Sequence, residues 1–354
     1  MKLDDVIKRM PIWYKSGKSF YLKSPPGRGK TTTLVGASTQ LGKAFNQNIG
    51  HVIINGPLLS PQDAVGYLIP KHHDTYSESL YTDPFWFKTK DGRRLSDFDG
   101  GIIIVDEADK MDVDVKKIIG EAALSKRLGP HQLSDGWRVW MAGNRSQDRS
   151  GSTKELDHLI NRRCEQDITD DLQSLLNWMA RNNISPITQT FADRNPHIVL
   201  PEKLPEKQGP YCTPRSLCEW DDFLKVASNG DTIDDSDPLL REEAAGFMGD
   251  AAVSQYFALI KLDRSMPRFE KIIKDPEGVV VPEKPDAQML AIFNLAARVD
   301  PDTIDPVIKY VQRMGQEFAI TFAKSAINRF SELVVHPSKR KWCLNNASLM
   351  AALA

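Results

Sequence analysis

Over residues 1 to about 170, short apolar runs alternate with amphipathic stretches of helical length. That alternation predicts an α/β fold, a largely parallel sheet covered by helices. Five runs read as its strands, at residues 19–24, 51–55, 101–106, 137–142 and 164–168. Beyond residue 170 the strand signal fades. Residues 170–180 and 215–227 read as helices, separated by a Pro-rich stretch, 195–214, that reads as a surface wrap. Residues 228–237 read as a polar, acidic loop and 276–285 as an extended connector. A last long helix is predicted from Val307, Val311, Met314, Phe318 and Phe322, spaced four, three, four and four. Those residues form one apolar stripe facing a core.

Composition narrows the class without naming it. With 354 residues, 41% hydrophobic and 26% charged, the chain is long enough for two or three domains and has the balance of an ordinary globular protein. Lys plus Arg (46) nearly equals Asp plus Glu (47), so no global field exists to hold a polyanion, and any nucleic-acid contact must be local. Cys164, Cys212, Cys218 and Cys343 show neither CxxC nor zinc-ligand spacing, which argues against a disulfide framework or a zinc site. No apolar run approaches the ~18 to 20 residues that span a bilayer. Residues 1–16 carry acidic side chains and do not read as a signal peptide. The expectation is a cytoplasmic protein with reduced thiols and no membrane partner.

The first chemical signal is Ser24-Pro25-Pro26-Gly27-Arg28-Gly29-Lys30-Thr31, directly after an apolar strand and before a segment that opens a helix. This is the pattern of a phosphate-binding loop. Gly27 and Gly29 let backbone N–H groups turn toward the β-phosphate, Lys30 reaches the β and γ oxygens, and Thr31 offers its hydroxyl to Mg²⁺. Pro26, Arg28 and Thr32 complete the candidate nucleotide-binding segment. Ser24 departs from the usual pattern, which begins with Gly. A second signal is the run Gly101-Ile102-Ile103-Ile104-Val105-Asp106-Glu107, a core strand ending in two carboxylates. Asp106 is expected to hold Mg²⁺ and Glu107 to orient and polarise the attacking water; two carboxylates there are costly unless a cation or water satisfies them.

Asp106-Glu107-Ala108-Asp109 spells the motif of DEAD-box RNA helicases. Those proteins follow it with Ser-Ala-Thr and later His-Arg-x-Gly-Arg, and neither occurs here. Instead the next strand ends in Gly143-Asn144.

In this order, the phosphate loop, Asp106-Glu107, Asn144, Asn161-Arg162-Arg163 and Thr213-Pro214-Arg215 resemble the AAA+ ATPases, specifically their MoxR-like branch. Residues 60–66 and 142–148 look like that branch's segment after the second strand and its sensor 1 loop. Residues 171–186 are similar to a subgroup that pairs with a protein carrying a von Willebrand factor A-like domain. The resemblance implies a P-loop AAA+ core over 1–169, with an insert at about 67–97, an all-α lid over 170–265 and a C-terminal helical extension over 266–354. It implies Asn144 as sensor 1, Arg162 as an arginine finger reaching a neighbour's site, with Arg163 as runner-up, and Arg215 as sensor 2. It also implies a ring, most often a hexamer, whose ATP hydrolysis remodels or matures a protein partner. Tyr76, Tyr81, Phe85, Trp86 and Phe87 of the insert are candidate pore-facing groups, or else they pack the insert onto the domain. Lys88, Lys90, Arg93 and Arg94, interrupted by Asp91, read as a solvated loop, and His72 and His73 as surface residues. The alternative function is a nucleic-acid-handling AAA+ motor or loader that uses the insert's basic and aromatic residues on a strand.

Overall fold

Residues 100–106 form a strand in which every position before Asp106 is buried. Ile102 and Ile104 pack on one face with Phe20, Leu22 and Trp140, while Ile103 and Val105 pack on the other with Tyr21, Val52 and Val139. A sheet covered on both faces requires apolar residues at both parities, so the run is continuous rather than alternating. The computed structural model of the chain describes residues 1–145, 148, 160–161, 163–205, 208–229, 233–330 and 333. It divides into two units, Met1–Asp170 and Asp171–Ala354.

In the first unit, strands β1 (Phe20–Lys23), β2 (Ile49–Asn55), β5 (Gly100–Asp106), β8 (Trp137–Gly143) and β9 (Cys164–Asp167) form one sheet in the order β2-β5-β8-β1-β9. All four pairings are parallel. Each of the five predicted strands is present, with no end displaced by more than two residues. Helices α1 (Leu3–Ser16) and α2 (Lys30–Phe45) cover one face through Val6, Met10, Trp13, Leu34 and Leu41. Helices α3 (Pro61–Val65) and α4 (Val113–Ser125) cover the other through Ala64, Val115 and Ile119. The sequence of α1 carries a buried helical stripe, Val6, Met10, Trp13 and Tyr14, between its charged residues. Two antiparallel hairpins complete the unit: β3 (Leu68–His72) with β4 (Ser77–Tyr81), and β6 (Arg127–Leu128) with β7 (His131–Gln132).

The described part of the second unit is helical: α5 (Leu172–Arg181), α6 (Pro186–Arg194), α7 (Pro196–Val199), α8 (Pro214–Ser228), α9 (Pro238–Met248), α10 (Asp250–Asp263), α11 (Phe269–Lys274), α12 (Pro285–Arg298), α13 (Ile304–Gln312) and α14 (Gln316–Arg329). Ser185, Thr213 and Asp237 cap α6, α8 and α9 through side-chain oxygens, each followed by Pro at the first helical position. There Pro loses no hydrogen bond. The short helix α7 lies inside the stretch expected to be a plain wrap. Asp221, fully buried, accepts hydrogen bonds from the Ser185 and Thr188 hydroxyls and from the Ser185 N–H, and pairs with Lys225 at 2.6 Å.

The predicted last long helix is two. Gly315, at φ +117°, interrupts it between α13 and α14, a backbone conformation open to glycine and strained for other residues. The apolar stripe survives the break because both pieces face one core: Val307, Val311 and Phe322 are fully buried. Phe322→Ala is therefore expected to lower the unfolding free energy of the helical unit by about 3–5 kcal/mol, read from urea denaturation followed by circular dichroism. A loss below about 1 kcal/mol, the range of surface substitutions, would mean the stripe is not core.

Candidate active site

The parallel order brings the C-terminal ends of all five strands to one edge. Lys23 lies opposite Gly143 and Asp167, and Asn55 lies opposite Asp106. The chain leaves β1 for the glycine-bearing loop of residues 24–29, β5 ends in Asp106-Glu107, and β8, which lies between them, delivers Asn144. Such an edge, where neighbouring connections diverge, is where open α/β sheets bind ligands.

Gly27 and Gly29 adopt φ of +74° and +84°, and Gly29 is the N-cap of α2, so the loop turns left-handed twice before the helix begins. Free N–H groups at a helix start favour an anion. Lys30 is buried, and its Nζ donates to the Ser24 carbonyl at 2.9 Å, the Ser24 hydroxyl at 3.0 Å, the Pro25 carbonyl at 3.0 Å and Asn144 Oδ1 at 3.3 Å. The departure at Ser24 is thus explained. The position shows no positive φ, and its hydroxyl and carbonyl both hold the loop's lysine. Arg28 is buried with Nε 3.1 Å from Asp170 Oδ1. Burial pushes the Asp170 carboxyl above its ordinary value, and the Arg28, Arg145 and Lys30 charges oppose that push. Pro26 is half-buried beside the glycines, and Thr32 is exposed in the first turn of α2.

Thr31 Oγ1 donates to Asp106 Oδ1 at 2.8 Å, and the Glu107 N–H donates to the same oxygen at 2.9 Å. Glu107 itself sits at φ +51°, in the left-handed region, with its carboxylate 3.2 Å from Lys110 Nζ. A non-glycine residue there costs of order 1–3 kcal/mol and is held only where the surroundings impose it. A hydroxyl beside a carboxylate is an all-oxygen donor pair, which suits Mg²⁺, a cation commonly bound by one or two carboxylates and completed by water and phosphate. Among the described residues there is no group of three or more His, Cys, Asp or Glu side chains able to hold a metal.

Asp109, missed in the sequence, connects two of these elements. Buried at 3% exposure, its Oδ1 accepts the Asn144 N–H at 2.9 Å, and Lys116 Nζ donates to its carbonyl at 3.2 Å. A Cβ on Gly143 would lie 2.7 Å from that oxygen and 2.2 Å from Tyr21 Oη, so glycine is required where β8 meets Asn144. The signal was the last letter of the Asp106–Asp109 tetrapeptide, read only as a helicase test.

Other candidates separate. Arg163 pairs with Glu165 at 2.8 Å, lies 4.3 Å from the Tyr21 ring centroid and has a side chain only 5% exposed. It packs on the sheet against Tyr21 and Glu165. Arg162 lies outside the described residues. Arg215 is exposed at the start of α8, just after its Thr213 cap, in the second unit. In the insert, Trp86 is 1% exposed and donates Nε1–H to the Ala64 carbonyl at 3.2 Å, and Phe87 packs edge-on against it. These two are anchors rather than pore groups. Tyr76, Tyr81 and Phe85 are exposed. Asp91 pairs with Arg93, whose hydrogen bonds hold the Asp91 carboxyl down at about 2.

The sheet is an open, parallel α/β sheet of order β2-β5-β8-β1-β9, with the glycine loop after β1 and the paired carboxylates after β5. No protein-family model matches the chain, and no curated protein matches it. Solved structures do. A provisionally assigned ATPase from Cytophaga hutchinsonii is 16% identical, covering 73% of this chain and 88% of its own, with a TM-score of 0.35. NtrX from Brucella abortus in complex with ADP is 15% identical over 98% of this chain and 68% of its own, with a TM-score of 0.38. The RuvB Holliday junction branch migration motor of Thermotoga maritima is 14% identical over 77% and 74%, with a TM-score of 0.37. At such identities and TM-scores, activity and partners must be argued from this chain's own residues.

Two substitutions test the geometry through stability. Asp109→Ala leaves the half-buried Asn144 N–H without its acceptor and is expected to lower unfolding free energy by about 1–3 kcal/mol. Gly143→Ala, whose added carbon has no room, is expected to lose at least as much. Differential scanning fluorimetry with urea titration reads both, and an unchanged Asp109→Ala would remove that carboxylate from the account.

Proposed function

We propose that the chain is an AAA+-type ATPase that hydrolyses ATP with Mg²⁺ in an oligomeric ring, most often a hexamer in the family it resembles, to remodel a protein partner. The observation that carries the reading is the convergence of Lys30, Thr31, Asp106, Glu107 and Asn144 on one edge of the sheet. Lys30 would exchange the Ser24 and Pro25 oxygens for β and γ oxygens of the nucleotide, while the N–H groups of the loop and α2 cradle the phosphates. Thr31 and Asp106 would hold Mg²⁺, which neutralises phosphate charge. Glu107, half-exposed at the mouth, would orient the attacking water, with Asn144 beside the γ-phosphate through its link to Lys30.

Arg162 from a neighbouring subunit would stabilise the transferring phosphoryl group, and Arg215 would sense the nucleotide as sensor 2. The proposed partner is a protein with a von Willebrand factor A-like domain, on the sequence resemblance of residues 171–186. The exposed Tyr76, Tyr81 and Phe85 of the insert are available to a substrate chain.

Steady-state phosphate release by the purified chain tests the reading. Glu107→Gln is expected to keep ATP binding and lower turnover by about 10²–10⁴-fold, and EDTA to abolish it. Normal turnover by Glu107→Gln would sink the assignment. Single- and double-stranded DNA added at low and moderate salt are expected to leave the rate unchanged; a strong, salt-sensitive stimulation would make a nucleic-acid motor the better description.

Mixing subunits tests the finger. Arg162→Ala is expected to inhibit wild-type neighbours beyond its share of the mixture, whereas Arg163→Ala is expected to lower stability. Loss strictly proportional to the mutant fraction would place the finger elsewhere.

A further inference from the structure

The helical unit contains a cavity of about 510 Å³ between α6, α10, α11 and α12, within the size range of sites that accept ligands. Its apolar lining, a floor of the half-buried Ile233, Met266 and Phe269, is seated over the buried Ile260, Ile272, Ala291 and Leu295. Its rim is cationic, with Arg264, Arg268 and Arg298 all exposed. Arg264 is already engaged, its Nη1 2.7 Å from Asp235 Oδ1 and its Nη2 donating to the Ile233 carbonyl at 2.6 Å. Arg268 and Arg298 have no ion pair or side-chain hydrogen bond among the described residues. Asp263, also in the lining, accepts a hydrogen bond from Asn294 Nδ2 at 2.7 Å, which ties α10 to α12.

We propose that this cavity docks an acidic peptide segment of a protein partner, with an apolar side chain on the floor and adjacent carboxylates on Arg268 and Arg298. A planar guanidinium matches a carboxylate bidentately, and two of them beside one apolar floor read a charge–apolar–charge pattern. Sites for small metabolites enclose the polar groups that orient the ligand. Here all three guanidiniums stand at the exposed rim, so they meet carboxylates presented from another surface. The recognition needs no nucleotide chemistry and stands or falls apart from ATP turnover.

The test is fluorescence anisotropy of the full chain with a labelled Glu-Asp-Leu-Phe-Asp-Glu peptide. Saturable binding is expected, weakened at least tenfold in Arg268→Ser/Arg298→Ser, whose exposed side chains leave the thermal melt unchanged. A peptide with Lys in place of its acids, and one with Ser in place of Leu-Phe, are each expected to bind at least tenfold more weakly. Equal binding by the double variant, equal binding of the Ser peptide, or no binding by the wild type at millimolar peptide overturns the proposal. So does tighter binding of a single-stranded DNA oligonucleotide through the same two arginines.

Discussion

Everything at the sheet edge depends on keeping the Lys30 ammonium charged while it is almost out of water. Burying a charge is prohibitive unless oxygens surround it. Here the oxygens come from two strand ends: Ser24 and Pro25 follow β1, and Asn144 follows β8. The two strands are adjacent only because of the order β2-β5-β8-β1-β9. With β5 beside β1, Asn144 would be a strand farther from the ammonium. Topology thus decides which side chains Lys30 meets, and the same order leaves Asp106 near enough to share the Thr31 hydroxyl.

The tip of β8 needs its own support, because a strand that ends in a polar residue has unpaired backbone groups to satisfy. Asp109 supplies the acceptor from beyond the end of β5, and Gly143 gives it room. On the sheet face below, Tyr21 lies beneath Arg163 and Lys23, and both cations reach Glu165. The arginine next to the expected finger is therefore a packing residue. β9 begins one residue after Arg163, and the Arg163 side chain lies on the sheet against Tyr21 and Glu165.

Motif and strand were legible because each has a local physical signature. The continuous run of residues 101–105 marks a strand covered on both faces, and two glycines before Lys30 mark a loop that turns left-handed twice. What was not legible depends on partners far away in sequence. Asp109 looks like any acidic residue after a strand until Gly143 and Asn144, over thirty residues later, are brought beside it. The break at Gly315 was hidden because the apolar spacing continues through it; only the positive φ reveals that one stripe spans two helices. The aromatic run 85–87 was read as a unit, yet Trp86 enters the core and Phe85 does not. One-residue alternation between core and solvent depends on where a short turn places each Cβ.

That division within the insert has a mechanical meaning. Five residues of β3 and four of β4 are exposed, and an isolated two-stranded hairpin is marginal in water. This one is fastened at its root. Gly66 turns at φ +89°, where an added Cβ would lie 1.9 Å from the Thr82 carbonyl, and Tyr67 and Thr82 exchange hydrogen bonds at 2.9 Å. Trp86 then pins the chain to α3 through the Ala64 carbonyl. A hairpin held this way has its two strand ends tied to each other and its downstream chain tied to α3. Its exposed Tyr76, Leu80 and Tyr81 therefore stand on a root that is fastened to the α/β unit through Trp86 and the Ala64 carbonyl.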